Sequence, residues 1–211
     1  MNITFIGYGN VGAPLADHLE RAGNTVTLAA ANPQSDSVKK ALARNPALRV
    51  ATAEEAVTTA EVVFLATPFD ANQSALNGVS ALLNGKILVD CTNPVGPGLT
   101  HGLHSAQSGS EFVQTLAPGA LVVRAFSIYG FENFDNSVFP GYNVKPVMML
   151  CGADAGAKQT VSQLATALGW EPLDVGGIEQ ALHLEHLALL WIRMVRVHGI
   201  SANTVWAVLK R

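Results

Sequence analysis

The stretch Asn2-Ile3-Thr4-Phe5-Ile6-Gly7-Tyr8-Gly9-Asn10-Val11-Gly12 decides how the rest of the chain is read. A short, mostly apolar strand pattern runs straight into three glycines spaced Gly-x-Gly-x-x-Gly. Val11, Leu15 and Leu19 then recur at i, i+4 and i+8, the period of one helix face, until Gly23 stops it. Strand, glycine turn and helix in that order suit a dinucleotide-binding βαβ unit. Gly7 permits the tight turn, Gly9 lets a pyrophosphate approach the backbone, and Gly12 lets helix and strand pack closely. The helix start adds N–H groups and a positive dipole end for the phosphates. Tyr8, Asn10 and Val11 complete the loop. Three glycines alone are a weak signal; the strand before and the helix after make it specific.

Outward from this unit, short apolar runs alternate with helical patterns. Strands are expected at 2–6, 25–30, 61–66, 86–90, 121–125, 146–151 and 171–175. Most of these runs are uninterrupted rather than alternating, as in parallel strands buried on both faces. Helices are expected at 35–44, 53–58, 71–83, 154–168 and 178–197, with Asp154 as a cap and Gly169 as an end. The pattern predicts an α/β, Rossmann-type, doubly wound and mostly parallel sheet with a small C-terminal helical extension. One domain is expected over 1–211. Residues 1–125 form its dinucleotide-binding core, and 126–211 complete the sheet and a second-ligand pocket. The irregular stretches 93–119 and 127–144 follow strand ends, where such sheets bind ligands.

Composition narrows the partners. The chain has 211 residues, 49% of them hydrophobic, and a net charge of −3, so disorder is excluded and a full core is available. No basic stripe marks a nucleic-acid surface. The apolar run from Leu187 is cut at Arg193, too short to span a membrane, and the start of the sequence lacks a signal-type pattern. Two cysteines cannot build a disulfide framework, so a reduced, cytoplasmic protein is expected.

The acidic residue that would hold an NAD ribose near the end of the second strand is missing. Ala29, Ala30, Ala31 and Asn32 stand there. Without that carboxylate NADP is favoured, with NAD as the alternative. Asn32, Ser35, Ser37, Lys39 and Lys40 are candidate phosphate contacts, or else solvated residues at a helix start. Thr67, Pro68 and Phe69 follow the strand at 61–66, while Asn93 and Pro94 follow the strand at 86–90. Both loops are expected to line the nucleotide crevice, their prolines fixing extended turns.

Several features have blander readings. His183 and His186 share a helix face, but a third ligand is missing and no metal is assigned. His101 and His104 read as solvated loop residues or ligand contacts. Cys91 reads as a buried spectator, since a reactive thiol needs a lowered pKa. The helix over 187–197 is apolar nearly all round, so it packs on several sides or forms a homodimer, the latter being preferred.

The chain resembles the coenzyme F420-dependent NADP oxidoreductase family. The resemblance rests on Gly7 to Gly12 and on the run 90–94, which contains Thr92-Asn93-Pro94. It rests also on Arg124-Ala125-Phe126-Ser127, on Glu132-Asn133-Phe134, on 146–152, on 168–176 and on Leu189-Leu190-Trp191-Ile192. The same family includes the cytosolic oxidoreductase domain of the STEAP metalloreductases. The resemblance implies NADP in the cleft, with a deazaflavin (F420) or a flavin (FMN or FAD) stacked on the nicotinamide as second ligand. Hydride would pass directly between them, a reaction that needs positioning and water exclusion more than an acid or base. No catalytic acid or base is assigned, and the chain lacks a Tyr-x-x-x-Lys pair. By the same resemblance Ser127 faces the second ligand; the bulky stretch 128–131, with Tyr129 and Phe131, departs from the family and either closes that pocket or reshapes it for another acceptor. Ala30-Ala31 stand where the family carries Ser-Arg on the 2′-phosphate. The alternatives are a reductase of free flavin or metal and an NADP(H)-sensing protein without turnover.

Overall fold

The computed structural model describes residues 1–211. The ten strands are β1 (Asn2–Ile6), β2 (Thr25–Ala29), β3 (Arg49–Ala51), β4 (Val62–Leu65), β5 (Ile87–Asp90), β6 (Val95–Gly96), β7 (Thr100–His101), β8 (Leu121–Arg124), β9 (Val147–Gly152) and β10 (Glu171–Asp174). Eight form one sheet in the order β10-β9-β8-β5-β4-β1-β2-β3, and β6 and β7 make a small hairpin beside it. From β3 to β8 every pairing is parallel. β9 runs antiparallel to β8, and β10 pairs parallel with β9. The chain winds one way from β1 to β3 and the other way from β4 onward. The reversal between β1 and β4 is the switch point at which such sheets form a ligand crevice.

The central strands are covered on both faces, which is why they read as unbroken apolar runs. Val62, Val63, Phe64 and Leu65 of β4 are all buried. Phe5 stacks on Phe64 at 4.6 Å between ring centres. The helices are α1 (Gly12–Arg21), α2 (Asp36–Arg44), α3 (Ala53–Thr59), α4 (Asn72–Leu76), α5 (Gly109–Leu116), α6 (Ala155–Ala167) and α7 (Ala181–Arg196). One apolar cluster joins Ile3, Phe5 and Phe64 to Trp170, Leu184 and Trp191, so the two parts expected at 1–125 and 126–211 share a core and a sheet. Asp154 caps α6 by accepting from Ala157 N at 2.7 Å, and Gly169 takes φ +89° just past its end. No helix is long and apolar enough to cross a membrane.

Three elements depart from the sequence expectation. β3 was not foreseen, because a three-residue edge strand starting at Arg49 has no apolar run to show. The helix expected at 71–83 is broken: α4 stops at Leu76 and Gly78 takes φ +85°, leaving a separate turn at Ser80–Leu83. The stretch 93–119 is not all loop, since α5 starts from a capping box in which Ser108 and Glu111 satisfy each other's backbone N–H. In α7 the apolar residues Leu184, Ala188, Leu189 and Trp191 are buried within the chain itself.

A buried acid ties the first helices together. Asp17 of α1 accepts from Arg21 Nε at 2.6 Å, Arg44 Nε at 2.9 Å and Asn45 Nδ2 at 3.0 Å. Burial raises its pKa, but the bonds and charges of Arg21 and Arg44 outweigh that and hold the carboxyl below its ordinary value. A carboxyl with a depressed folded pKa stabilises above its unfolded value and loses that contribution as pH falls. Asp17→Asn is therefore expected to cost about 1–2 kcal/mol at pH 7. The gap to wild type should close below about pH 4. Urea titrations of both proteins at pH 7 and pH 3 check this; a gap independent of pH would show that the charge is not what matters.

Candidate active site

The three glycines have three different surroundings. Gly7 takes φ +92°, and a Cβ there would lie 2.6 Å from the Ala66 carbonyl and 2.7 Å from Thr67 N. It marks where the end of β1 presses on the end of β4. A Cβ on Gly12 would run into the Gly7 carbonyl oxygen and lie 3.3 Å from Ala66 Cβ. Gly9 is the reverse case, because a Cβ there would meet nothing within 4 Å. Gly9 and Asn10 are exposed, while Tyr8 and Val11 are half-buried. Two glycines thus shape the loop and the third leaves an open cradle above it. No side chain caps the start of α1 at Val11. The residues present therefore fit a pyrophosphate.

The loops after β4, β5 and β8 are brought together by a buried polar frame. Thr67 Oγ1 donates to Asn72 Oδ1 at 2.8 Å, and Asn72 Nδ2 donates to Thr92 Oγ1 at 3.0 Å. Thr92 then donates to Asp90 Oδ1 through its hydroxyl at 2.6 Å and its backbone N–H at 2.9 Å. Ser110 Oγ donates to the other oxygen of Asp90 at 2.6 Å. Asp90 and Arg124 are register partners on neighbouring strands, and both side chains are fully buried. Arg124 Nη1 donates to Thr92 O at 2.8 Å and lies 3.3 Å from Glu185 Oε1, while Nη2 donates to Asn93 Oδ1. Asn93 Nδ2 donates to Ser127 O at 2.7 Å, which links the β5 loop to the β8 loop.

Glu185 of α7 closes the frame. It accepts from Gly109 N at 2.8 Å and from His101 Nε2 at 2.7 Å. His101 Nδ1 accepts from Leu103 N and Ser105 N, so the ring proton sits on Nε2 and the imidazole is neutral. His101 is thus neither a solvated loop residue nor a free ligand contact but a buried partner of Glu185. Sequence reading missed Asp90, Arg124 and Glu185. The available signal was a charge at the end of an apolar strand, which only pairing across the sheet turns into a network. His186 Nε2 lies 3.2 Å from Ser105 Oγ, and His183 is exposed. No group of three or more His, Cys, Asp or Glu side chains is placed to hold a metal.

Other expected site residues fall in varied places. Ala30 is buried, its N–H donating to Ala51 O. Asn32 accepts from Gln34 N, and Ser35 caps α2. Pro68, its φ held at −54° by the ring, leads into a 3-10 turn. Phe69 packs on Phe112 at 5.8 Å, and Pro94 is buried. Tyr129, expected on the pocket wall, belongs to the core: its ring stacks on Trp170 at 5.3 Å and its hydroxyl donates to Val147 O. Phe131 is exposed on a short 3-10 turn. Ser127 is 2% exposed and its hydroxyl has no partner. Burial, with Asp90 adding to it, pushes the Cys91 thiol well above its ordinary pKa, and burial pushes Cys151 up to about 12. Neither is a thiolate nucleophile at neutral pH.

Comparison with known proteins matches this geometry. Residues 2–94 fit the family described as NADP oxidoreductase coenzyme F420-dependent. Metalloreductase STEAP3 of Rattus norvegicus is 32% identical over 188 residues, covering 89% of this chain and 36% of that protein. The chain thus spans about a third of the length of such metalloreductase relatives. The F420-dependent NADP reductase of Methanothermobacter marburgensis is 26% identical, with 89% of each chain covered. A solved protein of Arthrobacter sp. FB24, provisionally named an F420-dependent NADP-reductase, superposes with a TM-score of 0.85 at 28% identity over the full length of both chains. The sheet order and these matches together give the chain a Rossmann-type fold and a likeness, over residues 2–94, to the coenzyme F420-dependent NADP oxidoreductase family.

Proposed function

We propose that this chain binds NADP(H) along the glycine loop and transfers hydride between the nicotinamide and a deazaflavin or flavin held against the loops at 67–69, 91–95 and 127–131. The observation that carries the reading is the contrast among the glycines: Gly7 and Gly12 are packed against backbone, while Gly9 faces open space at the start of α1. The bound nicotinamide supplies or accepts the hydride. The chain's own residues hold and orient. Gly9, Asn10 and the start of α1 receive the pyrophosphate. Arg124 fixes Asn93, and Asn93 fixes the Ser127 carbonyl, so both walls of the cleft share one rigid frame. The Ser127 hydroxyl is buried without a partner, so it is left free to bond a ligand that opens a way to it. Direct hydride transfer gains most from such positioning, since no proton has to move in the step. Both cysteines are free and buried, which suits a reducing, cytoplasmic setting.

A second reading, reduction of free FMN or FAD, or of a metal through it, draws on the 32% identity to a metalloreductase. Anaerobic NADPH oxidation with oxidised deazaflavin and FMN offered in parallel separates the two. Turnover with the deazaflavin is the expected result. Turnover with FMN alone would move the chain to the second reading. Tight NADPH binding with neither acceptor reduced would overturn both and point to a sensing role.

A further inference from the structure

Beside the glycine loop lies a cavity of about 490 Å³, lined on one side by Tyr8, Gly9 and Asn10 and on the other by Ser37, Lys40 and Arg44 of α2. The last three fall at i, i+3 and i+7, so they share one helix face. In dinucleotide-binding sheets the adenine ribose sits between the glycine loop and the end of the second strand, and its 2′ substituent meets whatever stands there. Here that strand end carries no charge of either sign: Ala30 is buried in the sheet, the Ala31 side chain has no polar atom, and Asn32, its oxygen taken by Gln34 N, has only a neutral amide N–H2 to donate. The cation instead comes from one helix further on.

We infer that this cavity is a phosphomonoester site, with Lys40 as the counter-charge to the ribose 2′-phosphate of NADP(H) and Ser37 as a hydroxyl donor to it. The inference rests on the proposed dinucleotide site. Lys40 is exposed and enters none of the ion pairs of the chain. Arg44 is already committed to Asp17 and Asp135, so Lys40 is the free cation of the lining. No carboxylate lines the cavity. Ser37 lines the cavity from the first turn of α2, and its hydroxyl lies 3.1 Å from Ser35 Oγ. Lys39 is not part of the lining. Selectivity for the phosphorylated cofactor is thereby moved from the strand end to the face of α2.

The test is a comparison of NADPH and NADH dissociation constants, read by nucleotide fluorescence, for wild type, Lys40→Ala, Lys40→Glu and Ser37→Ala. Lys40→Ala should weaken NADPH by about 10- to 100-fold and leave NADH within about twofold, because only one of the two ligands carries the charged partner. Lys40→Glu should go further and reverse the preference, and Ser37→Ala should act in the same direction with a smaller factor. These residues are exposed, so circular dichroism spectra should overlay wild type. An unchanged NADPH to NADH ratio in Lys40→Ala, or wild-type protein binding both equally, would overturn the inference and leave the dinucleotide site intact. Loss of the site itself would show differently, as wild-type protein that binds neither nucleotide.

Discussion

Gly9→Val is expected to abolish NADPH binding in a protein that still folds. A side chain at position 9 projects into open space rather than into protein, since a Cβ there meets nothing within 4 Å. Gly9 also lacks the positive φ that would strain a branched residue. The folded state therefore tolerates the change, and the melting temperature should move by no more than a few degrees. The ligand does not tolerate it, because the valine occupies the place where the pyrophosphate meets the backbone. NADPH affinity should fall by about 100-fold or more, a loss of about 3 kcal/mol. Gly12→Ala is the contrast: its methyl runs into the Gly7 carbonyl, so it should lower stability as well as binding. Fluorescence titration with thermal melts checks both. Gly9→Val protein that binds NADPH as wild type would remove this loop from the nucleotide site.

Arg124→Met should be the most damaging single change to stability. It leaves Asp90 and Glu185 buried without their cation, and strips the donors from Thr92 O and Asn93 Oδ1. Breaking a buried pair by removing one partner costs about 3–5 kcal/mol, mostly from the charge left behind. Arg124→Lys should fail as well, since one ammonium cannot span Thr92, Asn93 and Glu185 as a planar guanidinium does. The combination Arg124→Met with Glu185→Gln should recover part of the loss, because one uncompensated charge is then gone. Urea denaturation of the three variants measures this. A cost below about 1 kcal/mol for Arg124→Met would mean that water reaches the cluster and the charges are not truly buried. At stability-matched temperature, loosening Asn93 should also lower kcat more than it raises KM, because the pyrophosphate end of the cofactor is held elsewhere.

The fold and the glycine loop were legible in the residues because their causes are local. Gly7, Gly9 and Gly12 each have a reason that a strand, a turn and a helix start impose by themselves, and the apolar runs at β1, β4, β5 and β8 follow from burial on both faces. Asp154 and Gly169 announced the ends of α6 for the same reason. The capping box of Ser108 and Glu111 was equally local, yet the Gly-, Ser- and His-rich residues around it hid α5 in what read as an irregular stretch. The rest depended on neighbours far apart in sequence. Whether Tyr129 faces a ligand or the core was decided by Trp170, 41 residues on in the chain, stacking on its ring. His101 became a neutral partner of Glu185 only because α7 folds back over the β6–β7 hairpin, a separation of 84 residues. Asp90, Arg124 and Glu185 look like three unrelated charges until the parallel register of β5 and β8 and the packing of α7 bring them together. Local sequence dictated where the backbone turns and which runs are buried; the long-range pairing of strands and helices decided which polar groups meet in the dry interior, because a buried charge is tolerable only where its partner arrives from elsewhere in the fold.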